Sequence, residues 1–225
     1  MILSDLYSHL AKREIAAILR CDISLNISSF EMALLQDTCR VDASLHHHLT
    51  FFMALEKLPS KPMDFSPRQY FVSIGNLLHA PNWDAVLYLQ TIWPLIRKQL
   101  PEAELHIYGA YPPPKAIALH NSGTGFLIKA CAEDAYAVME SVRVCLVLII
   151  FGAGIKGKLL DAMITLTPSV TSSVGSDGMY LDELWPGVNE DDVERFVAAV
   201  VNSYSNEVMW QAAHKHASTL LRVLI

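Results

Sequence analysis

At 225 residues, 52% hydrophobic and 18% charged, the chain can bury one or two cores and is too apolar to be disordered. A formal net charge of −6 argues against the basic face that nucleic-acid binding requires. The longest apolar run, residues 144–151, is far shorter than the ~20 residues of a membrane helix, and no signal-peptide pattern opens the chain.

Residues 6–19 read as a helix, 23–27 as a short strand and 29–35 as a second helix, with Ser28 and Ser29 as caps. His46, His47 and His48 are consecutive and point in different directions. They read as loop or frayed helix, and no metal site is expected. A loop holding Pro59, Pro62 and Pro67 follows. One strand and two helices cannot make an independent doubly wound domain. Residues 1–64 therefore read as a remnant of one domain plus a linker, and residues 65–225 as a second domain.

From residue 70 strands and helices alternate. Residues 70–75 and 104–109 are strands ending in Gly75 and Gly109. Between them residues 82–100 show the apolar spacing of a helix, which Pro94 should kink or divide. Tyr111 to Lys115 is too proline-rich for regular structure. Residues 125–129 read as a strand and 132–142 as a helix. The run 144–150 lacks alternation, as a strand covered on both faces does. Residues 157–164 are helical and 168–172 a further strand. Asn189 is placed to cap a helix with Val193, Phe196, Val197, Val200 and Val201 as its apolar stripe, and a last helix covers 206–222. The expected fold is α/β, a doubly wound parallel sheet, in which ligands bind beyond the carboxyl ends of the strands. Trp83, Tyr88, Trp93 and Trp210 read as packing residues, and His214 and His216 lie about 200° apart on a helix, too far round to share a metal.

Cys21, Cys39, Cys131 and Cys145 are scattered without a C-x-x-C pair, which suits a reducing cytosol. The chemistry concentrates in residues 151–163, where the apolar strand gives way to Gly152, Gly154, Lys156, Gly157 and Lys158. Glycine N–H groups, a helix N-terminus and ammonium groups together favour an anion, most often phosphate. The spacing Gly152 to Lys158 satisfies G-x-x-x-x-G-K, but Leu159 stands where a P-loop needs Ser or Thr for magnesium. A dinucleotide fingerprint fits less well, because Gly152 and Gly154 follow a late strand and Gly157 comes one position too soon.

The stretch Phe151-Gly-Ala-Gly-Ile-Lys156, Lys158, Asp161-Ala162 and Thr167-Pro-Ser-Val-Thr171 resembles the donor region of the group 1 (family 4) glycosyltransferases, which have the two-Rossmann GT-B fold. The resemblance continues through Phe71-Val-Ser-Ile-Gly75, His79-Ala-Pro-Asn82, Ile92-Trp-Pro94, Leu105-His-Ile-Tyr-Gly109 and Gly125-Phe126. It implies a GT-B C-terminal domain at 65–225 that binds a nucleotide-diphosphate sugar, and the end of an acceptor domain at 1–64. The implied reaction is transfer of a hexosyl unit to an unknown acceptor without metal or other cofactor. Lys156 and Lys158 would then be catalytic, near the diphosphate. Gly75, Asn82, Gly109, Gly152 and Gly154 would border the donor, and the Asp161 carboxylate would accept from ribose hydroxyls. In such sites, removing one preorganised donor costs roughly 3–4 kcal/mol of transition-state stabilisation.

Departures from the family pattern are local. Leu148-Ile149-Ile150 stands where relatives carry Pro-x-Arg, Leu166 where they carry glycine, Ala153 at the first acidic position, and Asp161 where Glu is common. With most of an acceptor domain missing, the expectation is a truncated chain with weak or no transfer by itself. A non-catalytic nucleotide-sugar-binding or partner-binding module is the alternative. Expected partners are the nucleotide sugar, its acceptor, and a second copy or companion chain over the exposed domain face. The expected location is cytoplasmic, with peripheral membrane association as a variant.

Overall fold

The computed structural model describes residues 12–49, 62–179 and 185–224, and the chain divides into two compact units. One unit takes the N-terminal segment to Met53 together with residues 153–155 and 177–179. The other takes residues 54–152, 156–176 and 180–225.

In the first unit, helix α1 (12–18) is followed by β1 (Ser24–Asn26), α2 (Ser29–Asp37), a 3-10 turn (Ala43–Leu45) and β2 (His46–His48). The part of the expected first helix before residue 12, and Pro59, lie outside the described residues. Ser28 caps α2, its hydroxyl accepting from the Glu31 N–H at 3.2 Å, and Ser29 is the first helical residue. Ile18, Leu35 and Val41 form a small core. The histidine triplet is a strand, not a loop or frayed helix. Its main chain pairs in parallel with β1, Ser24 opposite His46. His46 is buried beside Gln36 while His47 and His48 are exposed. Ladder bonds to a segment some twenty residues away override the weak strand preference of histidine.

In the second unit the elements are β3 (Gln69–Ile74), α3 (Ala80–Gln99), β4 (Leu105–Tyr108), α4 (Pro114–Ile117), β5 (Phe126–Lys129), α5 (Ala135–Ser141), β6 (Val142–Val147), α6 (Gly157–Ile164), β7 (Ser169–Thr171), α7 (Ser173–Ser176), β8 (Gly187–Asn189), α8 (Val193–Ser205) and α9 (Glu207–Leu224). The described strands form one fully parallel sheet in the order β5-β4-β3-β6-β7-β8, the doubly wound arrangement expected. The order in which strands are added reverses between β3 and β6, so the switch point of the sheet lies at their carboxyl ends. Alternate strand residues serve opposite faces. Phe71, Leu105, Ile107, Val144 and Leu146 pack with Leu89, Trp93 and Ile96 of α3 and Phe196, Val197 and Val200 of α8. Full burial of each such side chain contributes roughly 1.5–3 kcal/mol. No described helix is long and apolar enough to cross a membrane.

Several local expectations shift. Pro94 does not divide α3, because Ile92, Trp93 and Ile96 anchor the helix on either side of it. Pro94 and Gln90 are exposed, so the carbonyl that loses its helical donor stands on the solvent side. The proline-rich loop starts a short helix, since proline suits a first helical turn. The helix expected from residue 132 begins at Ala135, where the Asp134 carboxylate accepts from the Tyr136 and Ala137 N–H groups. β6 stops at Val147 instead of continuing to residue 150, because the Thr171 and Ser172 hydroxyls take the carbonyls of Val147 and Ile149. Asn189 ends β8 and does not cap α8. The cap is Asp192, whose carboxylate accepts from the Arg195 N–H.

Candidate functional site

β3 ends at Ile74, and Gly75 and Asn76 turn the chain into α3. The Asn76 side chain accepts from the Leu78 N–H at 2.9 Å, and its carbonyl accepts from the His79 N–H. One turn into α3, Asn82 donates through Nδ2 to the Asn76 carbonyl at 3.1 Å. Its Oδ1 accepts from Lys158 Nζ at 2.7 Å. Lys158 reaches this point from the first turn of α6, whose N-cap residue is Lys156. Gly75, Asn82 and Lys158 therefore meet at the switch point.

Gly75 is close-packed here. A Cβ at that position would lie 2.9 Å from both Asn82 Nδ2 and Lys158 Nζ. Gly109 has a related role, since its Cβ would stand 2.6 Å from Leu77 Cγ and 2.9 Å from the Gly75 carbonyl. Beside these strand ends lies a cavity of about 340 Å³ bordered by Gly75, Gly109, Tyr108, Tyr111, Cys131 and Ala135. Gly152 lies beyond β6 with φ of 142°, and a Cβ there would stand 3.6 Å from the Pro81 ring at the start of α3.

The electrostatics follow from burial. Lys158 is half-buried, and its amine is pushed down to about 8 by loss of water, with Cys145 acting in the opposite sense. Cys145 on β6 is fully buried and its thiol is pushed up to about 12, mainly by burial, so it stays neutral. Asp161, one turn along α6, accepts from the Tyr136 hydroxyl of α5 at 2.9 Å. Burial first, and that hydrogen bond second, push the Tyr136 phenol up to about 12. The arrangement offers an ammonium group, a helix start and side-chain-free strand ends to an anion.

A family model described as "Glycosyl transferases group 1" matches residues 68–206. This chain belongs to the group 1 glycosyl transferases. No curated protein matches it by sequence. Solved structures agree with the fold. TarM superposes with a TM-score of 0.74 at 14% identity over 96% of this chain and 42% of its own length. WaaG, a glycosyltransferase of lipopolysaccharide biosynthesis, gives 0.69 at 14% over 87% and 57%. Sucrose-phosphate synthase from Thermosynechococcus elongatus gives 0.69 at 16% over 94% and 56%. The chain thus spans about half the length of these structures.

Other features of this group 1 chain concern the remaining expected site residues. Gly154, with φ of 74°, belongs to the first unit, where its N–H donates to the Glu31 carboxylate of α2. The helix carrying Lys158 and Asp161 ends in a Schellman turn. Leu166 N–H donates to the Met163 carbonyl at 3.0 Å and Thr167 N–H to the Ala162 carbonyl at 2.8 Å. Leu166 holds the left-handed position of that turn, φ 52°, at a cost of roughly 1–2 kcal/mol that glycine would avoid. Its buried side chain offsets the strain, and its carbonyl meets the His214 ring at 2.8 Å. Sequence reasoning missed Tyr136, Asn76 and Glu31 as partners of site residues. Each is an ordinary surface type, and only its spatial neighbour distinguishes it.

Proposed function

We propose that this group 1 glycosyl transferase binds a nucleotide-diphosphate sugar at the cluster of Gly75, Asn82 and Lys158 and transfers its hexosyl unit to an acceptor. The observation that carries this reading is the half-buried Lys158 amine, which meets a neutral amide instead of a carboxylate at the switch point of the sheet. An ammonium so placed can meet the charge that grows on a leaving diphosphate, the main electrostatic demand of glycosyl transfer. Lys156, at the start of the same helix, is the second cation of the reading, and Asp161, held by Tyr136, its ribose ligand. The cavity beside Gly75 and Gly109 would receive the nucleoside. Solved neighbours support the donor class. A TarM mutant from S. aureus is seen with UDP, and so is the pneumococcal O-GlcNAc transferase GtfA.

Calorimetric titration with UDP, GDP and their sugars tests the proposal. Micromolar binding by the native chain is expected, and Lys158→Met should weaken it by about ten- to hundredfold, the worth of a charge-assisted hydrogen bond of roughly 1.5–3 kcal/mol. Native protein that binds neither diphosphate would refute it. A second reading, a donor-binding module that needs another chain for turnover, is favoured by an exposed apolar surface in the first unit. Exposed Ile23, Leu25, Phe30 and Leu34 in the first unit give an apolar surface for a companion chain or a second copy. Transfer by the chain alone would sink that alternative. A cytoplasmic setting completes the proposal and suits four cysteines without a disulfide.

A further inference from the structure

We infer that Asn82 is a positioning residue, whose side-chain amide, fixed from behind by the Asn76 carbonyl, holds the Lys158 ammonium at the mouth of β3 and β6 without neutralising it. The inference rests on the reading of Lys158 as a ligand of an anionic donor. It changes the role of Asn82 from donor contact to support, because both polar ends of the amide are already engaged. The hydrogen-bond network also sets the amide orientation. Lysine only donates, so Oδ1 must face Nζ, which turns Nδ2 toward the Asn76 carbonyl.

Three features make the arrangement specific. The Asn76 carbonyl belongs to the turn that leaves β3, so the amide is tied to the sheet end and not to a mobile loop. Gly75 clears the space, since any Cβ there would press on both partners at 2.9 Å. Among the described residues, no carboxylate meets the amine. Cys145 on β6 is a neutral thiol, and Asp161 on the same helix accepts from the Tyr136 hydroxyl of α5. From α3 it is a neutral amide that meets the amine. A carboxylate at position 82 would make an internal ion pair and compete with any anionic ligand.

The experiment follows the Lys158 side chain by lysine-selective NMR across roughly pH 6.5 to 9.5, a range spanning the amine value of about 8, in native protein, Asn82→Asp and Asn82→Ala. UDP titrations accompany each point. Asn82→Asp keeps the shape of the residue, and its melting temperature reports the fold. The expected result is a Lys158 midpoint raised by about one unit or more in Asn82→Asp. UDP affinity should fall by about tenfold in both variants. Midpoints equal to native in both variants would overturn the positioning role, even with UDP bound normally. Native protein that ignores UDP while Asn82→Asp still moves the midpoint would support the positioning role and refute the donor reading.

Discussion

Arg68 offers the most exacting test of how the site-bearing helix is held. Its side chain is fully buried just before β3. Nε donates to the Met63 carbonyl at 3.0 Å, Nη2 to the Thr165 carbonyl at 3.0 Å and Nη1 to Thr167 Oγ1 at 2.6 Å. Longer bonds of 3.4 Å reach the carbonyls of Met139 and Val142, and the Trp210 ring lies 5.2 Å away. One guanidinium thus ties the entry to β3, the α5–β6 junction and the turn that ends α6. Burial pushes its pKa down to about 10, which still leaves it charged at neutral pH.

Arg68→Met keeps the bulk and removes every bond. Thr167 Oγ1 retains a donor role toward Met139, so the carbonyls of Met63 and Thr165 are the groups left orphaned. The buried Thr165 carbonyl costs about 1–3 kcal/mol, the Met63 carbonyl at an exposed residue costs less, and part is offset by no longer burying a charge. A net loss of about 1–3 kcal/mol is expected, or roughly 3–10 °C in melting temperature for a chain of this size. Circular-dichroism melts and urea midpoints provide the measurement. Arg68→Lys should lose at least as much, because one ammonium cannot span three elements. A Met variant within about 2 °C of native, or more stable, would show that desolvation outweighs the bonds and refute the reasoning.

Other expectations concern the site itself. Lys158 has a folded value near 8 against 10.5 when unfolded, so the unfolded chain holds more protons between those values. Stability should therefore rise with pH across that window, and the penalty of the buried charge stands in full below it. Lys158→Met should abolish the rise and add about 1–2 kcal/mol at pH 7, after discounting for residual solvent contact; urea titrations at several pH values read this directly. A slope unchanged in the variant would contradict the assignment. Gly75→Ala should displace the amine and weaken UDP binding by about tenfold with little loss of melting temperature, and unaffected binding would count against the close packing. Tyr136→Phe should cost about 1 kcal/mol through the lost bond to Asp161, measured by thermal melts. Native Cys145 should resist iodoacetamide while exposed Cys21 and Cys131 react, as peptide mass mapping would show. Equal rates at all three would disprove its burial.

Local periodicity and punctuation made much of the fold legible. Glycines closing β3 and β4, the unbroken apolar run of β6 and the valine stripe of α8 each encode an element within a few neighbouring residues. The same holds for the anion-seeking composition of residues 152–158. What the sequence left open depends on distant contacts. A histidine triplet becomes a strand only when β1 lies beside it, and Pro94 is tolerated only where the sheet holds the helix on both sides. Asp161 points at a tyrosine 25 positions earlier, and Lys158 finds its amide 76 positions away. Amino-acid order alone determined most of the helices and strands of the second unit and which residues could attract phosphate, because those properties are set by side-chain spacing. Only the tertiary structure decided which cation is held by which neutral partner, because winding β6 back beside β3 brings the starts of α3 and α6 together.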